Sequence, residues 1–304
     1  MWGRVDVRLR IRILGAAAGG GLPQWNCDCS NCKRARRGEI PSLTQSSLAV
    51  SADGRHWALL NASPDIRVQF AAFPALHPMG LRVSPVVSVA LTNGDIDHVA
   101  GLLALREAQP FTLFGTAGIL EVIGSNRIFD ALAAGIVDRC PVALEEPFEL
   151  APGLGATLVS VPGKVPLYLE GEFVVTDREG EETVGVELRA GGRTAFYIPG
   201  CARMTGRLAA RLTGADLVMF DGTVWQDDEL IRAGVGTKTG ARMGHMAMSG
   251  PDGSIAAFAA LGVRRRIFVH MNNTNPVLDP ASPERSAVEA AGWIIGSDGM
   301  EIEL

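Results

Sequence analysis

The stretch Val86–Glu107, VVSVALTNGDIDHVAGLLALRE, is the one on which the fold reading turns. Val86 to Leu91 is a short apolar run, the mark of a buried strand. It stops at Thr92, and a polar loop, Asn93-Gly94-Asp95-Ile96-Asp97-His98, follows. Val99, Leu102, Leu103 and Leu105 then predict a helix with one apolar face. Two carboxylates and an imidazole therefore sit at the carboxyl end of a buried strand, where open α/β architectures place ligands. Asp95, Asp97 and His98 all suit a divalent metal. The same residues also suit a helix start, with Asp97 as cap and Asp95 at the positive end of the helix. The two readings are compatible, and spacing leaves both open.

Outward from this stretch, the 304 residues are 47% hydrophobic and 20% charged, with 36 glycines. That length and composition allow one large core or two domains, and the lack of a repeat or low-complexity linker favours a single domain spanning 1–304. A formal charge of −5 and the lack of a long basic block argue against a nucleic-acid surface. The basic runs Lys33-Arg34-Ala35-Arg36-Arg37 and Arg264-Arg265-Arg266 are too short for one. No apolar run reaches membrane-spanning length, and the opening residues lack the apolar core of a signal peptide. The expectation is a cytoplasmic protein.

Three of the five cysteines form Cys27-x-Cys29-x-x-Cys32, a spacing that fits one tetrahedral Zn2+ with a fourth ligand from elsewhere. Cys140 and Cys201 stand alone and are expected to be small buried residues. Of five histidines, His56 and His77 lie beside turns and are expected at the surface. His98, His245 and His270 fall at strand ends or in glycine-flanked loops, as do Asp97 and Asp221. Strands of a layered core present such ends together. Between residues 140 and 200 the pattern predicts strands at Ala156–Val161, Pro166–Leu169, Phe173–Thr176, Val184–Leu188 and Thr194–Ile198. Strand-rich segments alternate with helices in both halves, which predicts two sheets with outer helices.

The order of these residues resembles the metallo-β-lactamase superfamily, whose motif is Thr-His-x-His-x-Asp-His after a buried strand. Here Thr92-Asn93-Gly94-Asp95-Ile96-Asp97-His98 fills it, with Asn93 and Asp95 in the two leading histidine places. His270, after Phe268-Val269, matches the superfamily's last histidine. Pro162-Gly163-Lys164 stands where the middle one is expected, and Asp221 is not the obvious bridging aspartate. The resemblance implies an α/β fold of αββα type, two mixed sheets flanked by helices. A narrower resemblance, over nearly the whole chain, is to the coenzyme PQQ biosynthesis protein B family. It rests on Trp25-Asn-Cys-x-Cys-x-x-Cys32, Asn61-Ala-Ser-Pro-Asp-Ile-Arg67, Asp221-Gly-Thr, Gly236-Thr-x-Thr-Gly240, Met243-Gly-His245 and His270-x-Asn-Asn-Thr-Asn-Pro276.

That family resemblance implies a role in making pyrroloquinoline quinone (PQQ) from a Glu–Tyr unit. Asp97, His98 and His270 would form a two-histidine, one-carboxylate triad, a set that suits non-haem Fe2+ with O2. The missing first ligand set argues against a two-metal hydrolase. His245 is expected as general acid or base, Asp95 and Asp221 as residues that orient ligands, and Arg67 and Lys164 as contacts to substrate carboxylates. His270 is also a candidate fourth ligand for the cysteine zinc. The rival expectations are a carrier for PQQ or its precursor, working with other pathway proteins or as a homodimer, and a zinc hydrolase.

Overall fold

The structure is a computed structural model and describes residues 7–304; the opening part of the leader-free reading, residues 1–6, lies outside the described residues. Among the described residues, fourteen strands form two seven-stranded sheets. The first holds β1 (Arg10–Gly15), β2 (Ser47–Ser51), β3 (Trp57–Leu60), β4 (Val86–Ala90), β5 (Phe111–Gly115) and β6 (Val137–Pro141) in that order. The second holds β7 (Pro147–Ala151), β8 (Leu154–Ser160), β9 (Val184–Ala190), β10 (Arg193–Ile198), β11 (Leu217–Asp221), β12 (Arg265–Val269) and β13 (Ile294–Ile295), again in order. The last strand, β14 (Glu301–Glu303), returns to pair with β1 in the first sheet.

Both sheets are mixed. In the first, β14, β1, β2 and β3 pair antiparallel, and β3 to β6 pair parallel. In the second, β7 to β10 pair antiparallel, and β10 to β13 pair parallel. The parallel strands β4, β11 and β12 are buried along most of their length, which is why they read as continuous apolar runs. Side chains from both sheets merge into one apolar cluster, in which Phe268 and Trp293 stack 3.9 Å apart. Helices flank the sheets, none of them among the described residues long and apolar enough to cross a membrane.

The segment after β4 departs from the predicted amphipathic helix. Ile96–Val99 makes one α-turn, and Ala100–Leu105 continues as a 3-10 helix. The cause is Gly101. A Cβ there would lie 2.1 Å from the Ser63 carbonyl oxygen, so the chain comes close at a glycine only. Gly101 N–H donates to Ala62 O at 2.9 Å, and His98 O accepts Ala62 N–H at 2.7 Å. Bonds to the Asn61–Ser63 loop thus replace those of a regular helix.

The strands predicted at Pro166–Leu169 and Phe173–Thr176 do not form. Leu167–Leu169 is a 3-10 turn within a strap that pairs with no strand, and Phe173 is 92% exposed. β6 and β7, with polar and proline-containing sequences, were not predicted. Cys201 is buried as expected, but Cys140 is exposed, because it lies on the edge strand β6.

Candidate metal centre

Three strand ends and one helical turn converge. β4 delivers the loop 91–98, β11 ends in Asp221, β12 delivers His270, and the turn Gly240–Met243 delivers His245. Asp97, His98 and His270 offer ligand atoms within 4.8 Å of one another, and so do Asp221, His245 and His270. All of these but Asp221 line an open cleft of about 280 Å³. The capping alternative for Asp97 is corrected: Asp95 occupies the cap position without a side-chain cap bond, and Asp97 lies inside the turn, aimed at the histidines.

His98 is 1% exposed. Its Nδ1–H donates to Asn93 Oδ1 at 2.7 Å, with the tautomer assigned from this network. Nε2 is then a bare lone pair, buried and without a partner. An orphaned polar atom of this kind is costly unless something binds it. Asp97 Oδ2 lies 3.7 Å from that nitrogen and 3.1 Å from His270 Nε2. His270 Nδ1 lies 2.8 Å from Thr223 Oγ1, and its Nε2 shares a proton with the Asp97 carboxylate at 3.1 Å. A metal in this space would meet the bare His98 nitrogen and the carboxylate, and would replace the proton between His270 and Asp97. The donor set therefore fits a divalent metal.

Electrostatics agree. Burial pushes the His98 imidazole down to about 4, which keeps it neutral and ready to ligate. Burial would raise the Asp97 carboxyl, but the His98 and His270 rings outweigh it and hold it well below the usual range. Burial would lower His270, but the bond to Asp97 outweighs it and raises it. His270 also has φ of +59°, a left-handed backbone that costs a branched or bulky residue about 1–2 kcal/mol. The Thr223 hydroxyl, 3.0 Å from His270 O, helps hold it.

Asp221 is fully buried and accepts His245 Nδ1–H at 2.7 Å and Cys201 N–H at 2.9 Å. The first of these bonds fixes the His245 ring. Burial and the nearby Asp97 charge raise the Asp95 carboxyl, which lines the cleft with Leu167 of the strap. Lys164 lines the cleft but is only 12% exposed and pairs with Glu170 at 3.0 Å. Arg67 is exposed on the helix Ile66–Ala71 and is not among the cleft-lining residues, because that helix turns its buried face, Ile66 and Gln69, inward. Sequence reading missed Thr223 and the tautomer-fixing part played by Asn93. The second was masked because Asn93 registered only as a lost histidine.

The three thiols form a separate site, also converging within 4.8 Å. His270 does not join them; it belongs to the other centre. The fourth position is taken by the Asn273 side-chain amide, whose Nδ2 is 3.1, 3.5 and 3.3 Å from the sulfurs of Cys27, Cys29 and Cys32. Amide nitrogen and oxygen are assigned by network, and the flipped amide turns Oδ1 to the thiols. Burial raises the Cys29 thiol to about 11, so thiolates here need a cation to form together.

A beta-lactamase superfamily domain model matches residues 56–271. The chain is 58% identical to coenzyme PQQ synthesis protein B of Methylobacterium radiotolerans over 299 residues, covering 97% of this chain and all of the relative. The protein of the same name from Ruegeria pomeroyi is 59% identical over 296 residues, with 97% and 100% covered. The chain belongs to the coenzyme PQQ synthesis protein B family. A crystal structure of Zn(2+)-bound PqqB from Methylobacterium extorquens, of the same family, superposes with a TM-score of 0.96 at 58% identity, covering 97% of this chain and 100% of that one. A diphosphatase of the PhnP family shares the fold at 19% identity, with a TM-score of 0.69 and 98% of each chain covered.

Proposed function

We propose that this protein acts in PQQ biosynthesis as an iron-dependent oxygenase that hydroxylates the tyrosine ring of a Glu–Tyr-derived precursor. The observation that carries it is the triad of Asp97, His98 and His270, with the His98 Nε2 lone pair buried and unpartnered. Two imidazoles and one carboxylate with open positions suit ferrous iron, which would supply the site for dioxygen activation. The family's name supports the pathway. The thiol cluster with Asn273 would hold zinc, in keeping with the zinc-bound relative.

This chain's residues do the rest. Asn93 and Thr223 fix the tautomers of His98 and His270. Asp221 holds His245 through Nδ1, which leaves Nε2 as the nitrogen that takes the phenolic proton of the substrate. Hydroxylation moves one oxygen atom of O2 into a ring C–H bond and releases the other as water. Each turnover therefore also consumes two electrons and two protons from an external reductant.

The test is anaerobic reconstitution with Fe2+, followed by exposure to O2 with a Glu–Tyr-derived substrate and an electron donor. A catechol product whose new oxygen derives from 18O2 is expected. Full iron binding and turnover in His98→Ala would sink the assignment.

A further inference from the structure

The cleft carries one more group that the proposed chemistry leaves unused. The chain has three lysines. Lys33 pairs with Asp28 at 3.0 Å, and Lys164 with Glu170 at the same distance. Lys238 lines the cleft beside His245 and has no carboxylate or other hydrogen-bond partner among the described residues. Lys164 and Lys238 are the only lysines or arginines that line it, so Lys238 is the cation there left without an anion.

Its position is fixed relative to the metal centre. Lys238 and His245 flank the single turn Gly240–Met243, whose start is capped by the Thr239 hydroxyl. Asp227 binds this turn twice, accepting Gly240 N–H through its carbonyl at 2.8 Å and Ala241 N–H through its carboxylate at 2.7 Å. His245 N–H closes the turn on Gly240 O at 2.9 Å. Gly240 packs so closely that a Cβ would lie 2.7 Å from Val224. A half-buried cation on a braced turn is a poor surface ornament, since a free lysine gains more in full solvent. It is a good anchor for an anion that enters with the substrate.

We propose that Lys238 is the specificity-determining residue of the cleft, binding a carboxylate of an amino-acid-derived substrate while the aromatic ring faces the metal centre. Rejection of a neutral analogue follows, because that analogue would cover Lys238 without an anion. The proposal rests on the reading that this cleft holds the Glu–Tyr-derived substrate, but not on the oxidation.

The experiment measures binding without turnover. Calorimetry under nitrogen, with purified full-length protein, compares a Glu–Tyr dipeptide with the same dipeptide amidated at its C-terminus and at its glutamate side chain in turn. Wild-type protein is expected to prefer the free acid over one amide by about tenfold to a hundredfold. Lys238→Gln abolishes that preference, and Lys238→Arg retains most of it. Matching circular dichroism and Tm show that the variants fold. Equal loss for acid and amide, an unchanged preference in Lys238→Gln, or no binding of the dipeptide by wild type overturns the anchor. The oxidation stands or falls separately: hydroxylation with an unchanged KM in Lys238→Gln removes the anchor alone, and Lys238-dependent binding without any oxygen uptake removes the oxygenase alone.

Discussion

His270 joins three demands in one residue: it offers a ligand nitrogen, bonds Thr223, and holds a left-handed backbone. Its φ predicts an unusual mutational order. Without metal, His270→Gly should be more stable than His270→Ala by about 1 kcal/mol, because glycine adopts φ of +59° freely. Urea unfolding of the two variants measures this; alanine at or above glycine would refute the strain. Asn93 makes a second case. Asn93→Leu removes the acceptor for His98 Nδ1–H, and iron affinity should fall by about 10- to 100-fold, read by competition with a chelator. An unchanged affinity would mean that the tautomer is set elsewhere. In the sequence His98, Asp97 and His270 were visible as candidate ligands because they stand at or just after the ends of apolar runs. The hydroxyl of Thr223 was not, since a threonine after a strand has many ordinary uses and only the fold brings it to two imidazoles.

The short helix after β4 is shaped by its neighbour more than by its own pattern. Gly101 lets the turn settle on the 61–63 loop, and that loop in turn holds Thr92 through Asn61, whose Nδ2 lies 2.9 Å from the threonine hydroxyl. Gly101→Ala should therefore cost at least about 2 kcal/mol and displace Asp97 and His98, so that stability and metal binding fall together. Retained iron affinity in a destabilised Gly101→Ala protein would separate the two. The apolar spacing of Val99, Leu102 and Leu105 was legible, but the 3-10 geometry was not, because it depends on a backbone contact across some forty residues of sequence. The strap at 164–175 was misread as strands for a related reason. Its alternating apolar residues find no edge to pair with. Instead Tyr168 donates to Gly94 O at 2.8 Å and Glu170 binds Arg242 at 2.8 Å.

Across the whole molecule, the first sheet is completed by β14, which returns to pair with β1. Asp298, just before β14, accepts Ala16 N–H at 3.0 Å and both the N–H and the hydroxyl of Thr44 at 2.7 Å. Burial outweighs these bonds and raises its carboxyl to about 6. The sign follows: the folded state holds this proton more tightly than the unfolded one, so the contribution of Asp298 is full below pH 4 and is lost as pH rises through 6. The stability difference between wild type and Asp298→Asn, followed from pH 4 to 7, should shift against wild type as pH rises. A flat difference would show that Asp298 ionises normally. The two-sheet architecture itself was legible from the alternation of buried strands and helices, and from the ordered ligand residues. The strand order was not, since the return of β14 to β1 leaves no trace in either segment's composition.

The loop that runs from His270 to Asn273 touches both candidate centres, with an imidazole at one end and an amide among three thiols at the other. Four consecutive residues cannot be set independently. On the proposed reading, metal at the thiols adds to the bonds that already hold this loop, Met271 N–H to Ala16 O and Asn272 N–H to Thr223 O, both at 3.0 Å, and so helps set the imidazole in place. Protein produced in zinc-starved cells should accordingly take up iron weakly however much is supplied, and zinc added afterwards should restore uptake.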